Sequence, residues 1–559
     1  MKVLNFILIL CVLTVLPLAA GGGGQQGGSQ AAGNSAAVVN PPGQLPIVRE
    51  PVTLTMGLQQ SPNVNDYYSN YLTKYLEEKT GINLRFQLFA SSVNDANTQF
   101  QLMVSSNEKL PDIMCFAPGD WANHGDNGVF IDLSPYFERW AHFYNQRVSN
   151  LNPTERDRIR IAGTSSSGKR YGWIMYSQQL TQNYRNMNFI NKNWLDKLGL
   201  KMPTTTEEFY NTLAAFRDRD PNGNGQRDEI PWIGSVTTYA SEPLAFLINA
   251  FVYYPYRDAN NWFLNVTDGK LWTPWTTEEY REALRFINKL YKDGLLAPST
   301  FTITTNELAA LVSYERGGTN KVGFFSGHQN FLLLPETPAI FDYSYQVSLT
   351  GPKGVNYYPQ LPHRAVPSSF ITKDCAYPEA AFRLLDYVAD KETSLVARFG
   401  EKDVDWRWTR PEENAVSYIS TPAVMEELRM LWGVPQNKHW NREFGQMYID
   451  QENDVLGKWV DDGSWTRSRL KMYQTISINN GKDVPEKVDL IIYTKAEEDS
   501  IREIRTTINS YREECLALFC TGAMDLDRDW NRYLTELDRM GLQRYLQTAQ
   551  TAYTRTVGR

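Results

Sequence analysis

Val52-Thr53-Leu54-Thr55-Met56 alternates apolar and polar residues, and Ile82, Leu84, Phe86 and Leu88 alternate with polar ones in the same way. A period of two predicts strands. Between them, Asp66 to Lys79 carries Tyr67, Tyr71, Tyr75 and Leu76 near one face, which predicts a helix that Gly81 ends. A second helical run, about Asn94 to Ser106, leads to a short apolar strand, Asp112 to Phe116. Strand, helix, strand, helix, strand is the order of an α/β fold, a parallel sheet with helices packed on it.

The pattern returns further along. Asn193 to Lys197 starts a helix that Gly199 stops, and Thr206 is placed to cap Glu207 to Arg219. Thr277 caps Glu278 to Lys292, with Tyr280, Leu284, Ile287, Leu290 and Tyr291 turned inward. Val322 to Phe325 reads as a buried strand. Pro378 to Asp390 reads as a helix with Ala381, Leu384, Leu385 and Val388 inward. Glu497 to Arg555 is almost wholly helical, broken near Thr521-Gly522 and Gly541.

The N-terminus has a different character. Met1-Lys2 precedes an apolar run from Val3 to Leu18 and the small residues Ala19-Ala20, so residues 1–20 read as an export signal. No later segment is apolar enough to span a membrane. Leu18-Ala19-Ala20 before a glycine run resembles a bacterial lipoprotein signal, but Gly21 stands where the lipid-bearing Cys belongs. Lipid anchoring and plain cleavage therefore both stay open, with the mature chain in the periplasm or on the outer face of the cytoplasmic membrane. Residues 21–45, rich in Gly, Gln, Ala and Pro, read as a flexible tether.

At 559 residues the chain can form two or more lobes around a large core. Its net charge of -7, with no basic block, argues against nucleic acid as a partner. Five Cys and five His supply neither a disulfide framework nor a His-rich metal site. Cys515 and Cys520 point to different sides of a predicted helix and read as buried thiols. There is no glycine-rich phosphate cradle, no His-Glu-x-x-His and no nucleophile elbow.

The stretch from Asp220 to Glu229 is the strongest candidate for chemistry. Asp220, Asn222 and Asn224 place oxygens at alternate positions, Gly225 makes the turn, Gln226 offers its carbonyl and Asp228 follows at the ninth position. Hard Ca²⁺ takes six to eight oxygens, and such spacing turns them inward. Pro231 stands at the twelfth position, so this is not a true EF-hand; Glu229 would supply the missing carboxylate. An Asx-rich turn without an ion is the other reading. A filled site would stiffen its lobe and have no open position for catalysis.

The 31 Tyr, 25 Phe and 15 Trp fit a carbohydrate ligand, whose flat C–H faces stack on aromatic rings while polar side chains take the hydroxyls. Candidate ligand contacts are Trp121, Trp173, Tyr176, Gln178, Tyr184, Phe325, His328, Trp406, Arg407 and Trp408. Packing in a core is the competing reading for each aromatic. Arg407, with Arg185 and Arg410, would admit a uronate.

Several phrases recur together in one family. They are Gly168-Lys169-Arg170-Tyr171-Gly172; Asn191 to Leu200 with Pro203-Thr204-Thr205 and Glu207-Glu208-Phe209; Ile371 to Cys375 with Pro378-Glu379-Ala380-Ala381; and Thr521-Gly522 with Trp530 and Met540-Gly541-Leu542. In order and spacing the set resembles the large extracellular solute-binding proteins of bacterial ABC importers. The subgroup is that of lipoprotein-type and alginate-oligosaccharide binders, and the likeness runs from about Val52 to Tyr553.

The resemblance implies two α/β lobes joined by a hinge, with a ligand cleft between them. Lobe 1 is expected over 46–175 plus 360–402, and lobe 2 over 176–350 plus 405–559. Crossings are expected near Trp173–Gln179, Thr350–Pro359 and Gly400–Asp405. The alginate-type binders carry calcium at the spacing seen here, which carries over to Asp220, Asn222, Asn224, Gln226, Asp228 and Glu229. It also implies permease subunits and an ATPase as partners, a monomeric receptor, and binding of a small solute without chemistry. A secreted glycoside hydrolase stays as an alternative, although no pair of acids is singled out for it. So does a peptide or lipid binder on the same fold.

Overall fold

A computed structural model describes residues 38–178, 183–184, 186–236, 242–255, 263–314, 318–327, 339–409, 425–429, 431–432, 434–448, 478–488 and 490–558. The export signal, the tether up to residue 37, and Arg185, His328 and Arg410 lie outside the described residues.

Fourteen strands are named in chain order. The first four are β1 (Val52–Gln59), β2 (Ile82–Phe89), β3 (Ile113–Met114) and β4 (Gly172–Ser177). Then come β5 (Asn188–Asn191), β6 (Ile230–Ile233), β7 (Asn265–Thr267), β8 (Lys270–Trp272), β9 (Val322–Ser326) and β10 (Tyr343–Tyr345). The last are β11 (Arg364–Ile371), β12 (Trp406–Trp408), β13 (Met425–Glu427) and β14 (Met447–Tyr448). One sheet has the order β14-β4-β11-β3-β1-β2, and a second has β10-β5-β9-β6. In the first, β1 runs parallel to β2 and β3, while β11 is antiparallel to both β3 and β4. Each sheet centres one lobe of the expected α/β fold.

The period-two reading of β1 holds in space. Leu54, Met56 and Leu58 are fully buried in one core cluster with Leu72 and Leu76 of the helix Tyr71–Thr80. The opposite face of the same sheet is covered by a second cluster, in which Met114 and Phe370 meet Phe100 of the helix Val93–Ser105. The second sheet is sandwiched likewise. Ile190 and Phe324 face Phe209, Leu284 and the C-terminal helices, whereas Phe189 and Phe325 face Leu308 and Tyr343.

Local rules set most boundaries. Gly81 and Gly199 end their helices at φ 75° and 67°, a left-handed region that suits glycine. Thr277 caps Glu278–Lys292, as expected. Thr205 rather than Thr206 caps Thr206–Asp218, because its hydroxyl accepts from Glu208 N–H while the Glu208 carboxylate reaches back to the cap. The first helix begins at Tyr71 and not at Asp66, because the Asp66 carboxylate accepts from Tyr68 and Ser69 N–H in a tight turn. The long tail divides into Lys495–Thr521, Trp530–Arg539 and Leu542–Val557. Cys115, Cys515 and Cys520 are buried free thiols.

Two expected boundaries shift. Residues 405–409, 425–429 and 434–448 pack with the first sheet instead of the second lobe: β14 lies parallel to β4, and Trp406, Met425, Trp440 and Phe444 join the first core. The crossing expected at Gly400–Asp405 is therefore internal to that lobe. Asp405 is buried there, accepting from Glu401 N–H and pairing with Arg429. The tether ends earlier than residue 45. Val39 is buried, and the Arg383 guanidinium donates to the Asn40 and Gln44 carbonyls, which fixes this stretch to the first lobe.

Candidate functional site

The C-terminal ends of β1, β3, β4 and β14 and the start of β11 share one edge of the first sheet, where α/β sheets present ligand sites. The chain leaves this edge for the second sheet between β4 and β5, returns between β10 and β11, and leaves again after β14.

The three connections are laced together around one phenol. Tyr184, in the first, is 1% exposed and its hydroxyl donates to Asn480 Oδ1 of the third at 3.5 Å. Gln360 of the second donates its amide to the same hydroxyl. Tyr358 stacks on Tyr184 with ring centroids 5.8 Å apart and donates to Asn186 O at 2.7 Å. Backbone bonds from Leu361 N–H to Asn183 O and from Tyr358 N–H to Lys482 O complete the lacing. Sequence reasoning missed Tyr358, Gln360, Asn480 and Asn186. A signal was present in Tyr357-Tyr358-Pro359-Gln360-Leu361-Pro362, because a run bracketed by prolines sits poorly in a helix or central strand and marks a connector.

A charged cluster stands where the second connection enters β11. Tyr176 donates to Glu155 Oε2 at 2.5 Å, His363 Nδ1 lies 3.3 Å from the same oxygen, and Arg158 pairs with it at 3.4 Å. Burial pushes the Glu155 carboxyl up, but the His363 and Tyr176 hydrogen bonds and the Arg158 charge outweigh it and hold the group at about 2. A carboxyl held below its unfolded value lends stability above about pH 4.5 and loses it as pH falls through about 2. Glu155→Gln is therefore expected to flatten the fall in stability between those limits, by about 3 kcal/mol at most. Urea midpoints from pH 7 to 2 check this, and parallel curves for the two proteins would refute it.

The predicted ligand contacts divide sharply. Trp173 is fully buried, stacked on Phe137 at 5.1 Å and edge-on to Phe382 at 5.3 Å. Tyr176, Phe325 and Trp406 are likewise 0% exposed: Phe325 stacks on Phe189, and Trp406 donates to Gly400 O at 3.0 Å. These four are packed inside the cores of the two lobes. Arg407 pairs with Glu426 across β12 and β13, and Trp408 lies against Lys391, Lys402 and Glu392, which is first-lobe packing. Tyr184 belongs to the lacing. Gln178, half-exposed at the end of β4, and Trp121, half-buried against Phe370 after β3, do stand at the sheet edge. Beside Trp121, a polar cavity of about 370 Å³ has walls from both lobes, Asp120 and Asn123 on one side and Lys495 and Glu498 on the other. Lys495 Nζ reaches Asn123 Oδ1 across it at 3.4 Å.

The Asp220 to Glu229 turn folds its side chains inward. Asp220, at φ 44°, accepts from Gly223, Asn224 and Gly225 N–H. Asn222 Oδ1 accepts from Asn224 N–H and Asn224 Oδ1 from Gln226 N–H. The Asp228 carboxylate takes the Asn222 and Asn224 amides at 3.1 and 3.0 Å and Lys321 Nζ at 2.7 Å, and these partners, Lys321 foremost, hold it at about 2. Both Glu229 carboxylate oxygens are buried without a hydrogen bond; the N–H groups of Asn222 and of Glu229 itself lie near without aligning. Burial first, then the Asp220 and Asp228 charges, raise this group. Among the described residues, no three His, Cys, Asp or Glu side chains converge as a metal cluster. Even so, the orphaned Glu229 oxygens and the second lone pairs of the Asx oxygens fit a hard cation, and Lys321 supplies the positive charge at Asp228. Gln226 is exposed, so it would offer its backbone carbonyl alone.

The family model for bacterial extracellular solute-binding proteins matches residues 61–394. The fructooligosaccharide ABC transporter substrate-binding protein FusA of Streptococcus pneumoniae is 24% identical over 522 residues, covering 90% of this chain and 91% of that protein. Lipoprotein LipO of Bacillus subtilis is 29% identical over 400 residues, covering 68% and 74%. The solved structure of an EF-hand mutant of FusA with fructo-nystose superposes with a TM-score of 0.71 at 21% identity, over 90% of this chain and 99% of that one. That likeness establishes the two-lobe fold.

Proposed function

As the chain belongs to the bacterial extracellular solute-binding proteins, we propose that it is the receptor of an ABC importer and captures an oligosaccharide between its lobes without altering it. The observation that carries this reading is the joint one of two sheet edges joined by three laced connections in a chain aligned end to end with a fructooligosaccharide receptor. Lobes on such a hinge close when a solute makes contacts that exist only in the closed form. Of the sequence-predicted residues, we assign Trp121 and Gln178, which stand at the edge of the first sheet, to this cleft.

Asp220, Asn222, Asn224, Asp228 and Glu229, with the Gln226 carbonyl, would hold Ca²⁺. The ion would neutralise carboxylates that otherwise raise one another's cost and would stiffen the second lobe. The receptor works outside the cytoplasmic membrane, as a monomer, handing its solute to permease subunits. No helix among the described residues is long and apolar enough to cross a membrane, so attachment would be through the N-terminal segment or the permease.

Titration with fructo-, malto- and milk oligosaccharides is expected to raise the thermal midpoint by several degrees for at least one series, with the sugar recovered intact. Cleaved products would instead favour a glycoside hydrolase. Stabilisation by peptides alone would favour a peptide binder.

A further inference from the structure

Leu361 and His363 belong to different lobes. Leu361 is 7% exposed in the core that holds Phe324 and the C-terminal helices, and its N–H donates to Asn183 O of the first connection. His363 Nδ1 stands 3.3 Å from Glu155 Oε2 and 3.4 Å from Tyr176 Oη in the first lobe. The next residue, Arg364, opens β11 opposite Ser177 and pairs with Glu443 at 2.5 Å. The second connection therefore passes from one lobe to the other over a single residue, Pro362.

Proline is the stiffest residue a chain can place there. Its ring holds φ at about −65°, and it confines the residue before it, Leu361, to extended conformations. Rotation at the crossing is left chiefly to ψ of Pro362 and to the backbone angles of His363.

The ties on either side are firm. Towards the second lobe, Gln360 donates to Tyr184, and Tyr358 donates to Asn186 O at 2.7 Å. Towards the first lobe, Glu155 Oε2 accepts from Tyr176 at 2.5 Å and also faces His363 and Arg158. One carboxylate thus holds the roots of the first and second connections together. Pro362 itself is half-buried and borders a cavity of about 360 Å³ beside Phe251 and Leu264, so its ring is not locked in a core. A change in the angle between the lobes that keeps both sets of ties must turn the chain at this residue.

We propose that Pro362 is the pivot of the second connection and that its fixed φ limits how far the lobes part, so that it governs sugar affinity without touching the sugar. The pivot rests on the fold alone, and the control of affinity rests on the carbohydrate reading above. Lobes that part only a little spend more of their time near the closed form, and the apparent dissociation constant is the intrinsic one divided by the competent fraction. Pro362 is in this sense a positioning residue.

The test is small-angle X-ray scattering of the full chain, paired with calorimetric titration of nystose, maltotetraose and lacto-N-tetraose. It compares the parent with Pro362→Gly, Pro362→Ala and Pro352→Gly. Pro352, exposed in a turn between Gly351 and Gly354, controls for the entropy that a glycine adds to the unfolded chain. Without sugar, Pro362→Gly is expected to have a larger radius of gyration than the parent, and saturating sugar is expected to bring the two together. Its best sugar is expected to bind about fivefold more weakly, the loss that follows when the competent fraction falls to about one-fifth. Pro362→Ala should change in the same direction by less, which keeps the test informative should the glycine variant fail to fold. Pro352→Gly should match the parent in both measurements. Unliganded scattering that is the same for the parent and both Pro362 variants overturns the pivot, as does an equal change in Pro352→Gly. A larger radius with unchanged affinity overturns the control of affinity. A parent that binds none of the three sugars overturns the carbohydrate reading, and the scattering alone then decides the pivot.

Discussion

Trp173→Ala is expected to destabilise the protein by about 3–5 kcal/mol, the range for removing a large aromatic from a packed core. The indole is enclosed by Phe137, Tyr144 and Phe382, with centroids 5.1, 5.7 and 5.3 Å away. Its Nε1 donates to Gly445 O, so the ring ties β4 to the stretch that leads into β14. Guanidinium unfolding should show a lower midpoint with an unchanged slope. The fraction that folds at low temperature should bind sugar with affinity within about twofold of the parent, a difference of about 0.4 kcal/mol. A tenfold loss of affinity with little loss of stability would return Trp173 to the ligand.

Chelation of calcium is expected to have the next largest effect. An ion at about a hundred times its dissociation constant stabilises by about 2.7 kcal/mol, which EGTA would remove and added Ca²⁺ restore. Mg²⁺, which demands a tighter octahedron and gives up its water reluctantly, should restore less. The neutral-pH cost of the buried Glu229 pair of oxygens disappears when the cation is seated, so the calcium effect should weaken as Glu229 protonates. Asp220→Ala should be insensitive to EGTA, having lost the carboxylate that organises three N–H groups of the turn. A parent protein whose midpoint ignores EGTA would refute the metal assignment.

Secondary structure was legible wherever one local rule acted alone. The alternation of Leu54, Met56 and Leu58 and the stops at Gly81 and Gly199 needed nothing from the rest of the chain. The inward-folded turn of Asp220 to Glu229 was legible for the same reason, since its hydrogen bonds come from one decapeptide. Ligand contacts were not. Trp173, Tyr176 and Phe325 lie on strands buried on both faces, and nothing in their neighbours' polarity tells a ring that faces a cleft from one that faces a helix. The lobe boundary shifts at 405–409 and 434–448 because β14 is two residues long and pairs with β4 over a separation of about 270 residues. Pairing of that kind leaves no local trace.

This distant closure also bears on how the protein is made. Ribosomes add roughly 5–20 residues per second, so the partner of Trp173 is synthesised some 15–50 s after the indole itself. Until then the first sheet has an open flank at β4, and the growing polypeptide stays only partly folded. A slow-sealing body of this sort gives a secretion apparatus time to engage the chain before it becomes too compact to thread.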